Sequence, residues 1–428
     1  MGRGAVLGIL VILLAAPAEA QQVEVTLQEA IQRALQVQPA MVQARGDQRN
    51  AGAAMHASVG SYLPTVTGSG SSQRNGGTRF NSTTGQIVTA PASTSFNGGL
   101  SASVELFDGF RRLADVRASH ATQDAAEAGV TNQRFQVTLQ TKQAFYNALA
   151  SDDLVRVAQS QVKRAQRQLQ ISIDKLHAGS ATRSDSLRSL VDYGNARIAL
   201  LQAEANLATA QANLGRQIGV DGSVRAMPDS VLPPFPDTSG LRQSVISNAP
   251  QVEQADAQAR AAGAQVGVSR AAYWPSFSAS VSSSYTGSEA PWNSTSNYLS
   301  GWSVRFTGTW NLFNGFSREK QLASTVVARD VAEAKAADTH RQVNAQLTQQ
   351  IAALATAYEK ISIAETNVAA ATEDLRVQSE RYRVGAATIL DLLTSQTALT
   401  TAEQNLVQVR FDYLIARAQV EAVLGRTL

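Results

Sequence analysis

The chain has 428 residues, a length that ordinarily means two or three globular domains. Its charged residues make up only 17%, against roughly 25% in ordinary soluble domains. Lys+Arg 37 against Asp+Glu 34 leaves a net +3, so no basic field exists to hold nucleic acid or an anionic surface. Cysteine is absent, which removes disulfides, thiolate metal sites, cysteine nucleophiles and an N-terminal lipid-modified cysteine. The scattered histidines His56, His120, His177 and His340 do not make a metal site. No catalytic residue, metal or cofactor is expected.

Residues 1–20 read as a signal peptide. Arg3 gives a positive start, Ala5 to Ala16 form an apolar core, and Ala18-Glu19-Ala20 offers small residues where a signal peptidase reads. The apolar run is too short for a bilayer, which needs about 20 residues. Cleavage after Ala20 is expected. No later run approaches a membrane helix, so entry into a membrane would have to be as a β-barrel.

The rest is one unit written twice. Leu106-Phe107-Asp108-Gly109-Phe110 returns as Leu312-Phe313-Asn314-Gly315-Phe316, and the same offset carries Gly179 onto Gly385, Thr182 onto Thr388 and Asp185 onto Asp391. Upstream, Pro39, Tyr62 and Pro64 return as Pro250, Tyr273 and Pro275 with a slightly larger offset. The first repeat is expected over 21–219, with a strand hairpin at about 61–107 and helices at about 110–219. A Pro-rich linker follows at 220–240, carrying Pro228, Pro233, Pro234 and Pro236. The second repeat covers 241–428, with a hairpin at about 272–313 and helices at about 316–425.

Four strands are expected, and their residues alternate with period two. The first, Tyr62 to Ser72, is weak and Gly/Ser-rich. In the second, Phe96, Leu100, Ala102, Val104 and Leu106 interleave with Asn97, Ser101, Ser103 and Glu105. Segments 73–93 and 286–299, rich in Gly, Ser, Asn and Thr, read as external loops. Between Pro91 and Pro228 there is no proline, and 317–384 lacks glycine as well, so nothing breaks a helix there. Val155, Val162, Leu169 and Leu176 recur every seven residues with Ala158 and Ala165 between them, the seam of a coiled coil. Helix over 111–178 would reach about 100 Å at 1.5 Å per residue, so a tube or rod is expected.

The second copy repeats these patterns. Phe277, Ala279, Val281 and Tyr285 interleave with serines, and Trp302, Val304, Phe306, Trp310 and Leu312 with polar residues. Its helical seam is Ile361, Val368, Leu375 and Tyr382, with Ala364 and Ala371. Of the 25 aromatics, 16 fall within 62–110 and 273–316, including all four tryptophans. An antiparallel sandwich with one wet face is one reading. Four strands are few for two sheets, however, and each is long enough to cross a bilayer, which favours a membrane barrel. Small barrels need about eight strands, so copies must share one barrel; a dimer, trimer or tetramer all satisfy that arithmetic.

With this leader, the duplicated hairpin-plus-helix unit, the paired Leu-Phe-(Asp/Asn)-Gly-Phe turns and the Gly-x-x-Thr tips, the chain resembles the TolC-type outer-membrane efflux proteins. The stretch Arg381-Tyr382-Arg383-Val384-Gly385-Ala386-Ala387-Thr388-Ile389-Leu390-Asp391-Leu392-Leu393 carries the likeness most closely. The resemblance implies an α+β membrane protein: a homotrimer with four strands per chain in a shared twelve-stranded barrel, and a coiled-coil periplasmic tunnel. It also implies contact with outer-membrane lipid, a periplasmic adaptor and an inner-membrane pump. A periplasmic coiled-coil structural or adaptor protein without a barrel is the alternative.

Gly179 and Gly385 stand where a long helix ends, which by itself predicts a left-handed C-terminal cap. The resemblance makes these turns adaptor-contacting tips, with Ser180, Val384 and Ala386 sharing the surface. Thr182-x-x-Asp185 and Thr388-x-x-Asp391 are capping-box patterns. The resemblance instead sets Asp391 on the tunnel lining at a periplasmic constriction, with Asp185 and Tyr382 beside it, as carboxylate rings line channels. The family's second acidic position is Thr394 here, and its usual basic partner is Ala387. Arg183, Arg188, Arg381 and Arg383 read as solvated helix-end charges, Asp152-Asp153 as a wet face, and Tyr146 and Tyr358 as helix packing.

Overall fold

The computed structural model describes residues 23–228, 232–237, 249–292 and 297–428. The expected signal peptide, parts of the linker and the start of the second repeat lie outside the described residues. The chain divides into two compact units, and the division cuts across both sequence copies. One unit takes residues 44–132 and 249–343, the other the stretches up to 43, 133–248 and 344–428.

The first of these units holds an antiparallel sheet of β2 (Thr65–Asn81), β3 (Gln86–Phe107), β5 (Ser276–Gly287) and β6 (Leu299–Thr309), in the order β2-β3-β5-β6. Residues 73–93, expected as an external loop, are instead mostly ladder: Gln73 pairs with Ser95 and Asn81 with Gln86, leaving only a tight turn between. Gly and Asn are depleted in strands, but strand preference is mostly packing against neighbours. Here the backbone ladder to β3 supplies the order.

Cross-strand register sorts the side chains onto two faces. Val66 pairs with Ala102, Ala102 with Val281, and Val281 with Val304, making an apolar row. Thr67, Ser101, Ser282 and Ser303 form the adjacent row on the other face. There Ser282 and Ser303 hydroxyls sit 3.0 Å apart. One sheet face is therefore apolar and the other hydroxyl-bearing. On the apolar face Trp302 and Phe306 are about three-quarters exposed.

At the strand-to-helix turns the two copies use one device. Gly109 and Gly315 take φ 69° and 65°, and the following Phe110 and Phe316 take φ 66° and 63°. Two successive left-handed residues turn the chain sharply, and the non-glycine of each pair is strained there. Each Phe is held by an edge-on partner, Phe107 at 5.2 Å and Phe313 at 5.5 Å. Arg112 lies over the Tyr62 ring and Arg318 over the Tyr273 ring, both at 4.7 Å. The copies differ at the glycine. A Cβ on Gly109 would lie 2.6 Å from the Trp274 Cβ and 2.7 Å from the Ala271 carbonyl, whereas Gly315 faces open space.

In the second unit, α1 (Leu27–Val37) and α4 (Arg183–Ile218) pack with a parallel pair of short strands, β1 (Val23–Val25) and β4 (Val224–Ala226). The core there joins Val25, Phe145, Leu149, Leu214, Ile218 and Val224. Phe145 belongs to α3 (Arg111–His177), an unbroken helix of 67 residues. Its counterpart is α6 (Ser317–Arg383), also 67 residues, followed by α7 (Ile389–Leu424). The remaining α-helices among the described residues are α2 (Pro39–Gly60) and α5 (Pro250–Arg270). The heptad residues face inward: Val155, Ala158, Ala165, Ile361, Ala364 and Tyr382 are all buried. The Tyr413 hydroxyl lies 3.0 Å from both the Pro233 and the Pro234 carbonyl and shares its proton between them, and Tyr358 packs, tilted, between Phe235 and Tyr413. Tyr358 is thus a packing residue, and the linker is strapped onto α6 and α7. No described helix is long and apolar enough to cross a membrane.

Candidate functional site

Both tips are built alike. At the end of α3, Ser180 N–H donates to the Lys175 carbonyl (2.9 Å) and Gly179 N–H to Leu176 (3.1 Å). At the end of α6, Ala386 N–H donates to Arg381 (2.7 Å) and Gly385 N–H to Tyr382 (3.2 Å). These paired bonds need a left-handed residue, and Gly179 and Gly385 supply it at φ 71° and 82°. Neither glycine has an atom within 4 Å of its would-be Cβ, so conformation alone demands glycine. Gly179, Ser180, Val384, Gly385 and Ala386 are all exposed.

The next helices begin with complete capping boxes. Asp185 Oδ2 accepts from the Thr182 N–H (3.0 Å) and hydroxyl (2.8 Å), while Thr182 Oγ1 accepts from Asp185 N–H. Asp391 Oδ2 does the same with Thr388, at 2.9 and 2.7 Å. The Thr388 hydroxyl, then its N–H, and the charge of Arg381 hold the Asp391 carboxyl below the usual carboxylate range. Both cap bonds of Asp391 end on Oδ2. The carboxylate stays exposed and ionised.

Tyr382 is buried with Ile389 and Leu392 inside the second tip, and its hydroxyl has no partner. Lys175 of α3 lies over its ring at 4.2 Å, and the Lys175 ammonium also donates to the Tyr382 carbonyl. This contact ties the first helical hairpin to the second. A little further along, Arg164 makes a forked pair with Glu403 at 3.1 and 2.8 Å and reaches Thr400 at 3.2 Å, tying α3 to α7. Ser172 and Ser189 hydroxyls meet at 2.8 Å in a buried contact between α3 and α4. Ser395 donates to Asp374 at 2.5 Å between α7 and α6.

Sequence reasoning missed these ties, although a signal was present. Gln168 and Ser172 are polar residues on an otherwise apolar seam, and a buried polar side chain demands a partner. Among the arginines expected as solvated charges, Arg383 pairs with Glu380 at 3.0 Å on the exposed surface. Asp152 and Asp153 are not simply wet: both pair with Arg156 and are about one-third exposed. Burial raises the Asp153 pKa despite that arginine. Among the described residues no group of three or more metal-ligating side chains comes together.

The sequence matches the family described as "Outer membrane efflux protein" over residues 30–220 and 241–426. The chain belongs to that family. Among its curated relatives is the probable efflux pump outer membrane protein TtgC of Pseudomonas putida, 24% identical over 73% of this chain. That match spans 63% of the relative's own length. The outer membrane efflux protein BepC of Brucella suis is 23% identical over 85% of this chain and 77% of its own. The outer membrane protein VceC of Vibrio cholerae has a similar fold, with a TM-score of 0.77 at 17% identity over 94% of this chain and 96% of its own. As in its relatives, the place of this efflux-family protein is the bacterial outer membrane. The fold is that of solved outer-membrane channels, among them OprN, with a TM-score of 0.77 at 20% identity over 93% of this chain and 89% of its own.

Proposed function

We propose that the protein is the exit duct of a tripartite efflux system: a passive homotrimeric channel that opens at its periplasmic end on docking with a periplasmic adaptor and an inner-membrane pump. The observation that carries this reading is the sheet, apolar on one face and hydroxylated on the other, with β2 and β6 unpaired at its edges. Open edges in lipid leave backbone groups unsatisfied. Three such sheets, edge to edge, close a twelve-stranded barrel whose hydroxyl face lines water. A second observation supports assembly: Leu187, Val191, Ile198 and Leu201 of α4 follow heptad spacing, yet each is more than half exposed. An uncovered coiled-coil seam calls for another helix.

In this reading the exposed tip residues Gly179, Ser180, Val384, Gly385 and Ala386 meet the adaptor. Asp391, with Asp185, lines the constriction, and Tyr382, expected beside them, is buried behind them in the second tip. Capping does not compete with that role, because the cap occupies only Oδ2. Three symmetry-related Asp391 carboxylates would favour cations in the closed duct. The pump supplies the energy, since the sequence carries no Gly-rich phosphate loop. The test is conductance of the purified protein in a planar bilayer, wild type beside Asp391→Ala. Small cation-preferring steps that widen or lose selectivity in the variant support the constriction. Steps indifferent to the substitution reduce Asp391 to a cap, and folded protein that never inserts overturns the duct.

A further inference from the structure

Near the turn end of the β5–β6 hairpin, a row of residues crosses all four strands: Gly70 pairs with Gly98, Gly98 with Tyr285, and Tyr285 with Ser300. This row continues the apolar face, but its two glycines leave a gap in it. Trp292 and Tyr298, on the described residues beyond β5, stand beside that gap. Trp292 stands edge-on to Phe96, with ring centroids 6.0 Å apart, while remaining 81% exposed. The Tyr298 ring is seated against Gly287, where a Cβ would come within 2.6 Å of it. Its hydroxyl donates to the Glu289 carbonyl at 2.7 Å, which fixes the ring plane. The result is a cavity of about 760 Å³ walled by aromatic rings and edged by Ser72 and Ser300.

We infer that this cavity is a lipid niche, which takes the sugar headgroup and upper acyl chain of an outer-leaflet glycolipid. The inference rests on the barrel reading, in which the apolar face meets lipid. Three observations choose the occupant. The cavity opens on the face continuous with the lipid-facing rows, so its ligand is embedded in the membrane. Fixed aromatic rings present flat apolar surfaces with polar edges, suited to the hydrophobic face of a sugar at the bilayer interface. None of the lining residues is charged, so the hydroxyls on this face select a neutral polar head and offer nothing to balance a bare phosphate.

The experiment uses the full mature protein in nanodiscs containing a neutral glycosyl diacylglycerol or phosphatidylglycerol with the same acyl chains. Lipid retained per protomer is counted by native mass spectrometry after delipidation. Wild type is expected to retain the glycolipid and not phosphatidylglycerol. Trp292→Ala should lower retention on the order of tenfold, the scale of losing one aromatic wall. Gly98→Leu fills the niche without a backbone clash, the nearest atom to its Cβ being 4.0 Å away, and should also abolish retention. Trp302→Ala, mid-sheet on the same face, should not. Equal retention of both lipids, or retention unchanged in Trp292→Ala and Gly98→Leu, overturns the niche. Wild type that inserts as heat-sensitive oligomers but holds no glycolipid overturns the niche and leaves the barrel standing. Wild type that fails to insert removes both.

Discussion

In the proposed duct, opening at the tip separates the second helical hairpin from the first, and at the tip itself Lys175 ties them. Its ammonium lies over the Tyr382 ring and donates to the Tyr382 carbonyl. A partly buried cation–π contact contributes about 1 kcal/mol, and a hydrogen bond from a charged donor about 1.5 kcal/mol. Because the two share one ammonium they do not add fully, and about 2 kcal/mol is the working figure. Lys175→Met keeps an apolar stem over the ring and removes both electrostatic contacts. If those contacts exist only in the closed state, the open-to-closed ratio rises about 30-fold, at 1.4 kcal/mol per decade. Single-channel recording reads this ratio directly, with heat-sensitive oligomers confirming assembly. Tyr382→Phe is the control: its hydroxyl has no partner, so ring and carbonyl remain and gating should be that of wild type. Fully assembled Lys175→Met with wild-type open probability would refute the latch.

Arg164→Met should destabilise the helical unit by about 2–3 kcal/mol, because Glu403 is left mostly buried without its counter-charge. Adding Glu403→Leu should recover most of that loss, and thermal unfolding of the double variant below either single one would contradict the account. Gly109→Ala should block assembly, since its Cβ would collide with Trp274 and the Ala271 carbonyl. Gly315→Ala, strained only by its positive φ, should cost about 1 kcal/mol; equal yields of heat-sensitive oligomer from the two would sink the contrast. The Asp391 carboxyl is held below its ordinary 3.8, so its cap is fully formed above the unfolded value and is lost only as pH falls through the lower folded one. Hydrogen exchange in the first turn of α7 should therefore be independent of cap ionisation from neutrality down to about pH 5; a protection midpoint near pH 6 would contradict the assignment.

Much of this fold was legible in residue spacing because its contacts are periodic. The seam from Ile361 to Tyr382 and the alternation from Phe277 to Tyr285 each repeat one environment many times, so the pattern survives exceptions. Capping at Thr182 and Thr388 was legible because donor and acceptor lie three residues apart. Residues 73–93 misled because a glycine- and serine-rich strand draws its order from the partner ladder, which composition does not display. The ties from Lys175 to Tyr382 and from Arg164 to Glu403 join residues more than two hundred positions apart. No local rule reaches that distance. The proposed niche depends on Trp292 and Tyr298 standing beside a gap, and only the register of four strands reveals that gap.

The unpaired edges of β2 and β6 also have a genetic consequence. In the proposed shared barrel each subunit both offers an edge and accepts one, so a chain whose β6 cannot pair still presents a sound β2 to its neighbour. Such a chain would enter a ring and then prevent its closure, drawing intact subunits into the failure. Edge-strand mutations should therefore be dominant when expressed beside the wild-type gene, whereas mutations that prevent the sheet from forming at all should be recessive. The same topology that makes the subunits mutually dependent turns a single faulty one into a poison.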